Sequence, residues 1–87
     1  MTKIYTYCLF DHEDTFHGVY SSLKAVHRDA LKICNRGTAP IIMIYKNVKE
    51  TPTLTALRNA LKGEIDVQIR YKSGPRTAKI IKTKLKE

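Results

Sequence analysis

Tryptophan is absent from this sequence, cysteine occurs only twice, and no apolar stretch approaches the ~20 residues of a membrane-spanning helix. Cys8 and Cys34 each lie inside an apolar run, where a free cysteine behaves as a small hydrophobic residue. A signal-peptide pattern is also lacking, because Lys3 is followed by a strand-like run and then by acids. We therefore expect a cytoplasmic protein without a structural disulfide or a membrane partner.

Acidic residues are absent from positions 67–86, whereas positions 1–20 carry three acids and one base. The formal net charge of +8 is therefore weighted toward the C-terminus. Such a separation of charge is typical of a surface that binds an anion, although a merely solvated lysine-rich surface is the alternative. The bases of the acid-free segment are Arg70, Lys72, Arg76, Lys79, Lys82, Lys84 and Lys86.

The chain length of 87 residues predicts a single domain, 1–87, with one modest core. An apolar content of 43% and five tyrosines indicate that the chain folds. A deep catalytic pocket would occupy much of so small a core. We therefore expect a non-enzymatic protein without a cofactor.

Residues 3–10 and 15–20 are predicted to form a β-hairpin, since both runs are rich in β-branched and aromatic side chains. Ser21 and Ser22 can each cap a following helix, which runs to about Asn35 and is stopped by Gly37. The apolar stripe predicted to be buried on this helix comprises Leu23, Val26, Ala30 and Ile33.

Residues 41–45 are the most hydrophobic run and are predicted to form a central strand. A second helix is predicted over 51–63, with Pro52 in its first turn and Gly63 at its end. Residues 65–71 alternate between apolar and polar side chains, which indicates a strand with one exposed face.

A turn at 73–76 is followed by a run, 77–85, that fits either a strand or a short helix. We favour the strand, because a tight turn between two runs is typical of a hairpin. The predicted fold class is α+β, in the order β-β-α-β-α-β-β, with a mixed sheet and two helices packed on one face. Within it, 41–71 would be a β-α-β unit with parallel strands and a right-handed crossover.

Basic side chains on this hairpin predict a site for a phosphate backbone. Residues on one face of a strand repeat every ~6.6–7 Å, which is comparable with the phosphate interval of a single strand. The predicted ladder comprises Arg70, Lys72, Lys82, Lys84 and Lys86, extended around the turn by Arg76 and Lys79. The first helix adds a basic face made of Lys24, Arg28 and Lys32, with Arg36 just beyond. Tyr45 and Tyr71 are predicted to pack in the core, with base stacking as the alternative.

No helix-turn-helix, zinc-finger, homeodomain, leucine-zipper, RRM, KH or Walker pattern occurs in the sequence. RNA is predicted in preference to duplex DNA, because a sheet surface suits flexible single strands better than a major groove. Contacts to phosphate carry little sequence information, so we expect weakly specific, salt-sensitive binding.

Histidine and cysteine are the candidates for catalytic or metal chemistry. His12, His17 and His27 fall in a predicted turn, strand and helix, so their spacing does not assemble an acid and a base. Cys8 with His12 and His17 falls short of the four ligands of a structural zinc site. We predict no catalytic and no metal-binding residue, and a small metal-independent ribonuclease stays open as an alternative.

The segment 16–23, Phe-His-Gly-Val-Tyr-Ser-Ser-Leu, resembles a strand–helix element of small accessory proteins of phages and bacteria. The short basic chain also resembles early accessory proteins of T-even-type phages, which often inhibit host enzymes, defence systems or toxin ribonucleases of toxin–antitoxin systems. This resemblance implies an RNA-binding inhibitor in the host cytoplasm. The alternative is direct docking on an acidic host protein. Both a monomer and a homodimer are compatible with the sequence.

Overall fold

The computed structural model describes residues 5–35, 39–62 and 67–84 of the chain. These residues form six strands and two helices in the order β-β-α-β-β-α-β-β. The elements are β1 (Tyr5–Phe10), β2 (Phe16–Tyr20), α1 (Leu23–Cys34), β3 (Ile42–Tyr45), β4 (Val48–Glu50), α2 (Leu54–Leu61), β5 (Val67–Ser73) and β6 (Arg76–Lys84).

The six strands form one sheet in the order β2-β1-β6-β5-β3-β4. The predicted α+β class is confirmed, and both helices pack on one face of this sheet, where they share a core with β1, β3, β5 and β6. The run after the turn at 73–76 is a strand as far as Lys84, as predicted. β6 pairs with β5 in the C-terminal hairpin and with β1 of the N-terminal hairpin, so it joins these two hairpins within the sheet.

The predicted mixed sheet with a parallel β-α-β unit is wrong, because every pair of neighbouring strands is antiparallel. The physical reason is a tight turn at Lys46 and Asn47, whose φ angles of 48° and 67° are both positive. Two such residues form the hairpin turn that matches strand twist, and here Tyr45 pairs with Val48 across it. The extra strand β4 reverses the chain before α2, so β5 runs antiparallel to β3.

Each helix begins at a hydroxyl cap. The Ser22 side chain accepts a hydrogen bond from the Ala25 amide at 3.3 Å, and Thr53 accepts one from the Ala56 amide at 3.0 Å. Of the two predicted capping serines, Ser22 is the N-cap of α1. Pro52 lies just before the cap of α2 rather than in its first turn, where it was predicted. The helix α1 ends at Cys34 with Asn35 as its C-cap, which agrees with the predicted end. The predicted stop residues Gly37 and Gly63 lie outside the described residues.

The core is built from alternate strand residues and one stripe of each helix. On α1 the buried residues are Val26, Ala30 and Cys34, while the predicted Leu23 and Ile33 are partly buried at its margin. The predicted alternation in β5 is confirmed, since Ile69 and Tyr71 are buried. Both tyrosines pack as predicted: Tyr71 is fully buried and Tyr45 lies against the core.

A hydrogen bond of 2.6 Å joins Tyr71 Oη to His27 Nδ1, and the two rings also meet edge to face. Burial lowers the pKa of His27, and burial likewise raises the pKa of Tyr71 above its ordinary range. His27 is therefore a neutral hydrogen-bonding partner at neutral pH.

Protonation of His27 should make the fold less stable in mild acid. Because the folded pKa is lowered, its contribution is complete above the unfolded pKa of about 6.5 and is lost as the pH falls below that value. We expect the free energy of unfolding to fall with a slope of up to about 1.4 kcal/mol per pH unit. Urea titrations of wild type and His27→Gln between about pH 7 and pH 5 measure this slope. An equal slope in both proteins would contradict the assignment.

Candidate functional site

One face of the sheet faces away from both helices, and we call it the open face. Cross-strand pairing aligns one residue from each strand into a central row that crosses the whole sheet. At a strand spacing of ~4.8 Å, this row is about 24 Å long. In sheet order the row contains Phe16, Phe10, Lys79, Arg70, Ile44 and Lys49.

Shorter rows lie on either side of the central row. Towards the β5–β6 turn, Lys72 lies between Thr77 and Ile42. On the other side the row contains Val19, Cys8, Ile81 and Gln68. Among the described strand residues, the open face therefore carries basic side chains and no acidic one, and its bases are Lys49, Arg70, Lys72 and Lys79.

The aromatic end of the central row is Phe10 on β1 and Phe16 on β2. Their ring centroids are 5.4 Å apart with planes tilted by 56°. Phe16 is 53% exposed and its strand neighbour Val19 is 59% exposed, so an apolar patch on edge strand β2 faces solvent. Strand β1 separates this patch from Lys79, the first basic residue of the row.

The turn between β1 and β2 is held by Asp11. Its carboxylate accepts hydrogen bonds from the Glu13 and Thr15 amides at 2.9 and 3.0 Å, and His17 Nε2 lies 3.0 Å from its other oxygen. The His17 hydrogen bond is the largest cause that lowers the pKa of Asp11 to about 2, with the backbone bonds adding to it. The carboxylate is therefore ionised near neutral pH, and it fixes the turn that leads into Phe16.

An ion pair crosses from this turn to the open face. The Asp14 carboxylate pairs with the Lys79 ammonium, and the Asp14 side chain is 71% exposed. An exposed ion pair is worth at most about 1 kcal/mol, because water and salt compete for both partners. Lys79 is thus positioned by Asp14 and remains open to exchange with another anion.

The single basic ladder predicted for the C-terminal hairpin does not form. Arg70 and Lys72 are on the open face, but Lys82 and Lys84 have the parity that points toward the helices. The register explains the split, since Arg70 is opposite Lys79 and Val67 is opposite Lys82. The even-numbered bases of β6 are therefore separated from Arg70 and Lys72 by the sheet itself.

Lys82 is buried, so its predicted exposed position is wrong. It is 8% exposed, its ammonium donates to the Leu61 carbonyl at 2.8 Å, and it lies 4.4 Å from the centroid of the Tyr5 ring. Leu61 is the last residue of α2, where carbonyls lack helical partners and the helix dipole attracts a cation. Lys82 is therefore a structural cap of α2.

The basic face predicted on the first helix is exposed, but it lies in the helical layer. Lys24, Arg28 and Lys32 project to solvent from α1, and the sheet separates them from the open face. Arg28 Nε lies 3.3 Å from Asp29, which also accepts a 2.6 Å hydrogen bond from Tyr20. This bond is the largest cause that raises the pKa of Tyr20 to about 12 and lowers that of Asp29. The α1 bases therefore form a second basic surface and not a wall beside Arg70.

Three further basic residues were predicted to belong to the site, Arg76, Arg36 and Lys86. Arg76 lies at the start of β6 opposite Ser73, with the parity of the helical side. Arg36 and Lys86 lie outside the described residues. Sequence reasoning missed Phe10, Phe16 and Lys49. The run 3–10 is apolar on both faces, which indicates a strand buried on both sides rather than one with an exposed face, and β4 was not predicted. Asn47, which tolerates the left-handed conformation of a hairpin turn, was the signal for β4, the strand that carries Lys49.

The histidines and cysteines occupy separate environments. His27 bonds to Tyr71 in the core, His17 bonds to Asp11, and His12 Nε2 lies 3.6 Å from Glu13. Burial is the largest cause that raises the pKa of the Cys34 thiol, which donates to the Tyr71 carbonyl at 3.6 Å. Across residues 5–35, 39–62 and 67–84, no group of three histidine, cysteine or acidic side chains could hold a metal ion.

No helix within the described part of the chain is long and apolar enough to cross a membrane. Comparisons with protein-family models, with curated proteins and with solved structures found no match to this chain.

Proposed function

We propose that this chain is a non-enzymatic protein that binds RNA on the open face of its sheet. The observation that carries the proposal is the charge of that face, where Lys49, Arg70, Lys72 and Lys79 occur without an acidic residue among the described strand positions. A basic face that neither α1 nor α2 covers is accessible to an extended polyanion.

The geometry of β5 supports a phosphate backbone as the ligand. Arg70 and Lys72 are both exposed and lie on the same side of the strand, so their Cα atoms are about 6.6–7 Å apart. Lys79 and Lys49 continue the basic row across the sheet on either side of Arg70. Contacts of this kind fix position and carry little base information, so binding is expected to be weakly specific.

The resemblance of 16–23 to small phage accessory proteins supports a biological role for this binding. In that role the protein acts in the host cytoplasm as an RNA-binding inhibitor of a host toxin ribonuclease or defence protein. Two functions compete with this proposal: direct inhibition of an acidic host protein, and cleavage of RNA by a small ribonuclease. A stoichiometric host partner that stays bound after nuclease treatment would favour the direct inhibitor. Cleavage of added RNA would favour the ribonuclease.

Binding should weaken steeply with salt. Neutralising about four phosphates of a single strand predicts a log–log slope near −3, or about 50-fold weaker binding at about 200 mM salt than at about 50 mM. Fluorescence anisotropy with labelled RNA across a salt series measures the slope, and a gel of the recovered RNA shows whether it stays intact. Absence of binding at low salt, or an affinity that does not depend on salt, would overturn the proposal.

A further inference from the structure

We infer that Phe16, supported by Phe10, stacks against one unpaired base, which makes the protein selective for single-stranded over double-stranded RNA. This inference rests on the proposed function. It adds a base-contacting site at one end of a row whose basic members, Lys79, Arg70 and Lys49, contact phosphate.

Exposure and support of the Phe16 ring are the first observation. About half of the residue is accessible to solvent, while the tilted contact with Phe10 holds the ring at a centroid distance of 5.4 Å. Removal of apolar surface from water is favourable, so this ring is a platform for a flat ligand. Exposed Val19 extends the platform along the same edge strand.

Charge next to the platform identifies the ligand. Lys79 is paired directly with Phe10, and Arg70 follows it one strand further along the row. A nucleotide combines a flat nucleobase with an anionic phosphate. The row presents an aromatic ring followed by two basic side chains, those of Lys79 and Arg70. Because the Lys79–Asp14 pair is exposed, an RNA phosphate can replace Asp14 as the partner of Lys79.

Stacking also explains selectivity for single strands. In a duplex, the faces of the bases are covered by their neighbours, so an aromatic ring on a flat sheet cannot reach them. In a single strand, bases can be splayed out onto aromatic side chains, and each stacked base contributes about 5- to 150-fold in affinity by alanine substitution. Contacts to phosphate alone would not distinguish the two forms in this way.

The test compares Phe16→Ala with wild type on three probes: an unstructured RNA strand, the same strand in a duplex, and an abasic phosphodiester strand of equal length. Wild type should bind the single strand about 10-fold more tightly than the duplex, and Phe16→Ala should lose about that factor on the single strand only. Binding to the abasic strand should be unchanged. Val48→Ala removes a residue of similar exposure, 55%, from the opposite edge strand and serves as the matched control.

A second variant keeps the aromatic platform and reports on stacking directly. The chain has five tyrosines and no tryptophan, so Phe16→Trp introduces a single tryptophan at the site, and excitation at the red edge of its absorption band selects it over the tyrosines. Its emission should be quenched by the RNA strand and not by the abasic strand, and its affinity should match that of wild type. Equal affinities of wild type and Phe16→Ala for the RNA strand, or emission unaffected by bound RNA, would overturn the inference. Wild type that binds none of the three probes would instead overturn the proposed function.

Discussion

The double variant Arg70→Glu/Lys72→Glu is expected to bind single-stranded RNA about 100-fold more weakly than wild type at low salt. Both residues are exposed on β5 and lie on the open face, where reversal of their charge replaces two phosphate contacts with repulsion. The variant neutralises fewer phosphates, so the slope of log affinity against log salt concentration should be shallower than that of wild type. Fluorescence anisotropy over a salt series measures both quantities in one experiment.

A variant on the other side of the molecule supplies the matched control. Lys24→Glu/Arg28→Glu changes the formal charge by the same amount, but its two residues project from α1 in the helical layer. If the open face is the site, this control should lose only a few-fold through its effect on the overall field. Equal losses in the two variants would indicate that net charge alone drives binding. A larger loss in the α1 variant would place the site on the helix.

Periodicity in the sequence was enough to predict most of the elements. The alternation of β5, the hydroxyl cap at Ser22 and the turn before β6 are local features, and each determines its own structure. The Lys46-Asn47 turn is also local, but neither residue is glycine, and the three-residue strand that follows is exposed. Missing that one turn was sufficient to turn an antiparallel pairing into a predicted parallel one.

The candidate site was less predictable, because it depends on register between strands distant in sequence. The pairing of Phe10 with Lys79 and of Lys79 with Arg70 decides which bases share a face, and no spacing within one strand contains that information. A shift of one residue between β5 and β6 would have placed Lys82 rather than Lys79 on the open face. Likewise, the exposure of Phe16 follows from the absence of a helix over this side of the described sheet.

Replacing the buried lysine should test its structural role. Lys82→Ala is expected to lower the free energy of unfolding by about 2–3 kcal/mol, since it removes a charge-assisted hydrogen bond and leaves a buried carbonyl without its donor. For a domain of this size, the melting temperature should fall by about 10–20 °C. Thermal and urea denaturation followed by circular dichroism measure the loss. Lys84→Ala makes the same substitution two residues later at an exposed position and should change stability by less than about 0.5 kcal/mol.

Lys82→Met separates the cap from simple packing. Methionine keeps an unbranched apolar chain and avoids the penalty of burying a charge, but it can neither donate to the Leu61 carbonyl nor place an ammonium over the Tyr5 ring. Its loss of stability should therefore be smaller than that of Lys82→Ala and still measurable. All three folded variants should retain the RNA affinity of wild type at temperatures below their transitions, because neither Lys82 nor Lys84 lies on the open face. If Lys82→Ala were as stable as wild type but had lost RNA binding, Lys82 would be a binding residue. That result would contradict the split of the basic residues between the two sides of the sheet.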